Sequence, residues 1–123
     1  MESPILERLQ SNRKLFEQNG LTYVGLFGSF ARGESTKESD VDILFDYSKP
    51  LSFFDVVRLK SSLERSLGRN VDLISRRGLK TRFKNYVEQD LTTIYEGYGQ
   101  VDLAIVWQTI QSDILELKTQ LIK

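Results

Sequence analysis

The stretch that decides the fold spans residues 28–46 and is GSFARGESTKESDVDILFD. The apolar runs 21–27 before it and 41–45 within it are short and rich in β-branched and aromatic residues, which predicts two strands. Asp40 and Asp42 lie two residues apart, so they share one face of the second strand with Cα atoms ~6.5 Å apart. Such a pair is commonly no more than a solvated face. Because neighbouring carboxylates destabilise each other unless a cation lies between them, a Mg²⁺ site is the functional alternative.

A third strand is predicted over 70–74, with Asp72 in its middle among apolar residues. A lone acid there is either an edge-strand charge that discourages aggregation or a group that needs a partner. If the third strand lies beside the second, Asp40, Asp42 and Asp72 converge. Three carboxylates can hold two cations ~3.5–4 Å apart, which is the geometry of in-line nucleotidyl transfer.

Gly28 and Ser29 follow the first strand and lead into a helical turn over 30–32. Glycine permits close approach of the backbone, and exposed amides together with a hydroxyl can hold phosphate oxygens. Arg32 is placed to meet a phosphate as well. A Gly-Ser pair after a strand is usually only a turn, so the prediction rests on its combination with the three aspartates.

The remaining chain supplies helices around these strands. Apolar spacing predicts helices over 5–18, 53–67 and 79–86, and a last amphipathic helix that Asp102 would cap. The fold class predicted is α/β (α+β), a small mixed sheet covered by helices with an additional C-terminal amphipathic helix. The 123 residues amount to one compact domain.

Composition excludes several kinds of chemistry. The chain has no His and no Cys, so histidine-based triads, imidazole metal ligands, disulfides and thiolate nucleophiles are impossible. Lys plus Arg and Asp plus Glu both number 17, so no uniform basic field exists to hold nucleic acid. Neither a signal peptide nor an apolar run long enough to span a bilayer is found, and we expect a cytoplasmic prokaryotic protein.

The motif resembles that of the minimal nucleotidyltransferases, the MNT branch of the DNA polymerase β-like superfamily. The family pattern is Gly-Ser, about ten residues, Asp-x-Asp and a later strand acid, here Gly28-Ser29, Asp40-x-Asp42 and Asp72. The resemblance implies the nucleotidyltransferase fold, ATP as donor and Mg²⁺ as cofactor. It also implies that Asp40 and Asp42 bind two metal ions. Asp72 would bind the catalytic metal and act as base or orient the acceptor hydroxyl. Gly28, Ser29 and Arg32 would hold the phosphates of the nucleotide.

Small members of this family are often paired with a HEPT-domain protein. The resemblance therefore implies a type VII-like antitoxin that transfers AMP from ATP to a tyrosine hydroxyl of a cognate HEPT ribonuclease toxin and so silences it. The alternatives are an antitoxin that neutralises by binding alone and a nucleotidyltransferase with a small-molecule acceptor. A homodimer or a hetero-oligomer with the toxin stays open, and direct binding of nucleic acid is disfavoured.

The tail suggests a division of the chain into a minimal nucleotidyltransferase domain over 1–95 and a helical tail over 96–123. The tail resembles the end of a HEPT protein, but Glu96 stands where the HEPT His would be and no Arg lies shortly before it. We therefore assign it no ribonuclease activity. Its helical stripe is Leu103, Val106, Trp107, Ile110, Ile114, Leu117 and Leu121, which must be buried on the domain or on a partner.

Overall fold

The computed structural model describes residues 4–97 and 103–122. These residues form six α-helices, one short 3₁₀ turn and four strands. In chain order the elements are α1 Pro4–Gln10, α2 Arg13–Gln18, β1 Leu21–Phe27, α3 Ser29–Arg32, β2 Val41–Tyr47, α4 Phe53–Leu67, β3 Val71–Ser75, the 3₁₀ turn Arg76–Gly78, α5 Thr81–Asp90, β4 Thr92–Glu96 and α6 Leu103–Ile122.

The four strands form one mixed sheet in the order β3-β2-β1-β4. β1 is antiparallel to both β2 and β4, whereas β2 and β3 run parallel. The fold class predicted from the sequence is therefore confirmed. The expected neighbourhood of the second and third strands is confirmed as well, and it brings the N-terminal ends of β2 and β3 to the C-terminal end of β1.

Helices cover the two faces of the sheet unequally. Helices α1, α2, α3 and α4 supply apolar side chains to the larger core, whose buried strand residues include Val24, Ile43 and Val71. Helix α5 covers the other face through Val87, which packs with Tyr23, Phe27 and Leu44. Since side chains two apart share a face, Asp42 lies on the same side as Leu44, beside the α5 core. Asp42 thus lies at one end of the strands, next to a packed helix.

Several predicted elements are confirmed and others are corrected. The bounds of β1 and the end of α4 at Gly68 match the prediction, and Ser52 caps α4 in a reciprocal capping box with Asp55. The single helix expected over 5–18 is wrong, because a turn at residues 11–12 divides it into α1 and α2. The helix predicted over 79–86 instead spans Thr81–Asp90.

The prediction of three strands missed β4, which covers the second edge of β1. Its sequence TTIYE is rich in β-branched and aromatic residues, so a signal was present, but it is short and directly follows a helix without a turn motif. This segment forms a strand because it pairs with β1, and a local sequence pattern carries no information about a partner that is distant in sequence.

Helices α4 and α6 expose apolar side chains, and for α6 the sequence predicted that they would be buried. Phe53 of α4 is 77% exposed and Val57 is 43% exposed, because only the later turns of α4 reach the sheet. In α6 the described members of the stripe, Trp107, Ile110, Ile114 and Leu117, are exposed in the single chain. The predicted cap Asp102 lies outside the described residues. Among those residues, no helix combines the length and apolar character that crossing a membrane requires.

Candidate active site

Three adjacent strand ends bring the central residues of the motif together. Phe27, the last residue of β1, pairs with Asp42 near the start of β2. Asp42 in turn pairs in parallel register with Asp72 of β3. Gly28 directly follows Phe27, so Gly28, Asp42 and Asp72 lie in a row across the same end of the sheet. Residues separated by 44 positions in sequence therefore meet because of the strand order alone.

Gly28 is fixed by its contact with Asp42. Its φ of +75° lies in the left-handed region that glycine adopts without steric cost. A Cβ atom at this position would overlap the Asp42 carboxylate oxygen, with the carboxyl carbon 3.2 Å away. The backbone at Gly28 therefore lies directly against this carboxylate, and no other residue type allows both the conformation and the contact.

The Asp42 carboxyl group is held in an unfavourable electrostatic environment. Burial, followed by the negative charge and hydrogen-bonding proximity of Asp72, raises the pKa of Asp42 to about 6. The charge of Asp40 acts in the same direction, while Arg32 opposes it. Raised carboxylate pKa values of this origin are typical of functional sites, because a fold without such a role gains nothing from placing two acids side by side.

Asp40 lies just before β2 with its side chain exposed, at the rim of the Asp42–Asp72 pair. The structure thus brings Asp42 and Asp72 together and leaves Asp40 close enough to affect Asp42 but farther out. Within residues 4–97 and 103–122, no three acidic side chains are arranged as a ready metal-binding cluster. Three carboxylates closer together would repel one another. A cation between them would replace this repulsion by attraction and would favour the closer arrangement.

The donor set fits a hard divalent cation. Carboxylate oxygens are the ligands that Mg²⁺ prefers, and it commonly takes one or two from protein and the remainder from phosphates and water. A cation beside Asp42 would offset the repulsion that raises the pKa of this group. Asp42 and Asp72 would therefore hold the ion, and Asp40 would reach it by a change of side-chain rotamer.

Ser29 begins the short helix α3 immediately beyond Gly28. Its side chain is half-buried, and its hydroxyl has no hydrogen-bond partner in the part of the chain that the structure describes. Its carbonyl accepts from the Glu34 amide at 2.9 Å, which fixes the turn. A half-buried hydroxyl directly after the glycine that packs against Asp42 is consistent with the predicted contact to phosphate.

Arg32 is engaged differently from the prediction. Its Nη1 donates to Asp90 Oδ2 at 2.7 Å and its Nε donates to Glu34 Oε2 at 3.0 Å. The guanidinium therefore ties α3 to the end of α5 rather than extending toward the carboxylates. Sequence reasoning missed Asp90, because nothing local marks an acid at a helix end as the partner of an arginine 58 residues away.

The raised pKa of Asp42 predicts a pH dependence of stability. Between the ordinary pKa of 3.8 and the folded value of about 6, the folded state binds more protons than the unfolded state. The contribution of Asp42 is therefore fully favourable below pH 3.8 and is lost as the pH rises through 6. We expect the unfolding free energy of the wild type, relative to Asp42→Asn, to fall across this window in metal-free urea titrations. A constant difference would contradict the electrostatic description.

A glycine with positive φ packed against one of two paired carboxylates, at the end of a mixed four-stranded sheet, is the arrangement that the nucleotidyltransferase motif predicted. The comparison with family models agrees: residues 10–98 match the family described as Polymerase beta, Nucleotidyltransferase. The chain belongs to this family.

Three known proteins illustrate the relationship. Protein adenylyltransferase MntA of Thermococcus cleftensis is 34% identical over 94 residues, which cover 72% of this chain and 95% of that protein. A solved structure of a protein classed as a minimal nucleotidyltransferase is 37% identical, covers 71% of this chain and 93% of its own, and superposes with a TM-score of 0.61. The third is a chain from the structure of a tri-AMPylated Shewanella oneidensis HEPN toxin with an MNT antitoxin. It superposes with a TM-score of 0.58 at 19% identity, and the match covers 97% of this chain and 99% of that chain, which shows a shared fold.

Proposed function

We propose that this chain is a Mg²⁺- and ATP-dependent protein adenylyltransferase that transfers AMP to a tyrosine hydroxyl of a cognate HEPT ribonuclease toxin and thereby neutralises it. The observation that carries the proposal is the register Phe27–Asp42–Asp72, which places two carboxylates side by side with Gly28 packed against one of them. Such an arrangement is costly to the fold and is useful for holding a cation and the phosphates of a nucleotide.

The residues divide the work according to their positions. Gly28 and Ser29 would hold the β- and γ-phosphates, since the first amides of a helix lack intrahelical partners and the Ser29 hydroxyl faces none in the described chain. Asp40, Asp42 and Asp72 would hold two Mg²⁺ ions, which supply neutralisation of charge on the phosphates and on the departing pyrophosphate. Asp72 is exposed, so it can also reach an incoming hydroxyl.

The reaction is a substitution at the α-phosphorus of ATP. The tyrosine oxygen of the acceptor forms a bond to that phosphorus while the bond to the bridging oxygen of the β-phosphate breaks, and pyrophosphate leaves. The hydroxyl proton passes to the Asp72 carboxylate or, if Asp72 only orients the hydroxyl, to water. No oxidant, reductant or further substrate is needed.

The known relatives support the choice of reaction and acceptor class. A relative with 34% identity over 94 residues is named a protein adenylyltransferase. The family match over residues 10–98 includes every residue of the candidate site. The Shewanella oneidensis structure combines an MNT antitoxin with an AMPylated toxin. The first of these proteins shares the family with this chain and the second shares the fold, and by analogy they favour a protein hydroxyl over a small molecule as acceptor.

Co-expression with the candidate toxin distinguishes transfer from neutralisation by binding. We expect the wild-type chain to restore growth of cells that express the toxin, and the Asp40→Ala, Asp42→Ala double variant to fail although it still co-purifies with the toxin. The co-purification shows that the variant is folded and binds. Full restoration of growth by the double variant would contradict the proposal and favour occlusion of the toxin.

A further inference from the structure

Arg69 contacts both the loop that leads into Asp40 and the helix that begins at Ser29, although it is not part of the sequence motif. It lies in the short connection between Gly68, the left-handed cap of α4, and the start of β3. None of the carboxylates in the described residues forms an ion pair with it, in contrast to Arg32, Arg58 and Arg77. Its contacts are instead with backbone carbonyls and with one aromatic ring.

The guanidinium holds the loop that leads into Asp40. Arg69 Nη1 donates to the carbonyl oxygens of Thr36, Lys37 and Ser39 at 3.0, 3.2 and 3.2 Å. Hydrogen bonds from an ionised donor are stronger than those between neutral groups. Three carbonyls from four consecutive residues are therefore directed at one nitrogen, and the residue that follows them is Asp40.

This loop has little else to order it. Residues 33–38 are all exposed, so no buried apolar side chain anchors them. The other hydrogen bonds within residues 36–39 are short-range, for example from the Thr36 amide to Ser39 Oγ at 2.8 Å. Directly after Asp40, the Val41 amide donates to the Asn70 carbonyl at 2.9 Å, so the strand fixes the far end of the loop while Arg69 holds the residues before Asp40. Fixing such a segment costs about 1–2 kcal/mol of conformational entropy per residue, so the contacts of Arg69 matter to its position.

The same side chain also touches the helix that carries Ser29. The guanidinium carbon lies 4.9 Å from the centre of the Phe30 ring, and Phe30 is buried directly after Ser29. A planar guanidinium can stack on a ring while it donates in its own plane, which an ammonium cannot do. Arg69 thus couples the position of the loop before Asp40 to the position of α3.

We infer that Arg69 is a positioning residue of the transferase site, which holds Asp40 in register with Asp42 and with the phosphate-binding turn. The inference rests on the proposed function. Arg69 does not touch the substrate in this scheme; it acts through the loop and through Phe30. Its removal is expected to weaken metal–nucleotide binding more than it weakens the fold.

The test uses the full chain as wild type, Arg69→Ala, Arg69→Lys and the matched control Arg65→Ala, an exposed arginine in the last turn of α4. The affinity for Mn²⁺·ATP is measured by calorimetry without acceptor, below the melting temperature of every variant. Hydrogen exchange of residues 34–40 is measured in parallel. We expect Arg69→Ala to raise the Kd about 10-fold and to speed exchange in the loop, as removal of a residue that orients metal ligands does. Arg69→Lys should recover part of the affinity, and Arg65→Ala should match the wild type.

The outcomes separate the inference from the proposed function. Equal Kd values for the wild type and Arg69→Ala, with only a lower melting temperature in the variant, would reduce Arg69 to a structural role and overturn the inference alone. Failure of the wild type to bind Mn²⁺·ATP at all would overturn the proposed function and the inference with it. Unchanged hydrogen exchange over 34–40 in Arg69→Ala would also overturn the inference, because it would show that the loop is ordered without Arg69.

Discussion

Replacement of Asp42 by asparagine is expected to abolish AMP transfer while it stabilises the metal-free protein at neutral pH. The amide side chain keeps the shape of the aspartate but removes the charge that would bind the cation, so the rate should fall at least about 10³-fold, the scale of losing a principal electrostatic stabiliser. The stability should rise because the burial and repulsion that raise the pKa of Asp42 to about 6 no longer apply. After allowance for screening by solvent, the gain is on the order of 1 kcal/mol.

Asp46→Asn is the matched control for this prediction. Asp46 lies on the same strand and the same face, four residues farther on, where it pairs with Arg77 at 3.0 Å. Loss of a partly exposed ion pair costs about 0–1 kcal/mol and leaves the site untouched. Initial rates with labelled ATP and urea unfolding at about pH 7.5, well above the raised pKa, measure both effects. An Asp42→Asn variant that retains transfer, or one that is less stable than the wild type, would contradict the account of the site.

Gly28→Ala is the second change with a large expected effect. An added Cβ meets the Asp42 carboxylate and also forces a side chain into the left-handed region. Gly28 has a ψ of −154°, which places it in a region that is essentially restricted to glycine. The backbone penalty is about 1–3 kcal/mol and overpacking adds about 1–3 kcal/mol, so we expect a loss of several kcal/mol of stability. Displacement of the carboxylate should eliminate transfer in the molecules that remain folded. Urea unfolding and initial transfer rates measure the two effects.

Gly33→Ala is the control for a positive φ without the contact. Gly33 has a φ of +74°, close to that of Gly28, but its ψ is 20° where that of Gly28 is −154°, and a Cβ there meets nothing within 4 Å. This variant should lose about 1–2 kcal/mol and keep its transfer activity, because only the conformational penalty applies. If Gly28→Ala and Gly33→Ala lost equal stability and both remained active, the contact between Gly28 and Asp42 would contribute neither to stability nor to transfer, and the prediction would be wrong.

Elements with strong local signals were predictable from the sequence. β1 is an apolar run closed by glycine, and α4 begins at a capping serine and ends at a glycine, so their bounds follow from local chemistry. The turn at residues 11–12 left a weak signal, because residues 10–14 are all polar and interrupt the apolar spacing between Leu9 and Leu15. β4 and the exposure of Phe53 were not predictable, since both depend on what the rest of the fold places beside them.

The candidate site shows the same division between local and non-local information. Gly28, Ser29, Asp40 and Asp42 were identified from their spacing, and Asp72 from an acid in an apolar strand. The closeness of Asp42 and Asp72 required the parallel pairing of β2 and β3, which the sequence allowed but did not require. Arg69 carries no sequence signal, because an arginine after a helix cap is common and its partners are backbone carbonyls 30–33 residues away.

Intact-mass spectrometry of the HEPT partner tests the central claim most directly. The purified toxin is incubated with this chain, ATP and Mg²⁺, with the Asp40→Ala, Asp42→Ala variant in parallel. The account predicts that the toxin gains one or more AMP masses with the wild type and none with the variant, and that fragmentation places the modification on a tyrosine. An unmodified toxin in a stable complex with the wild-type chain would contradict it.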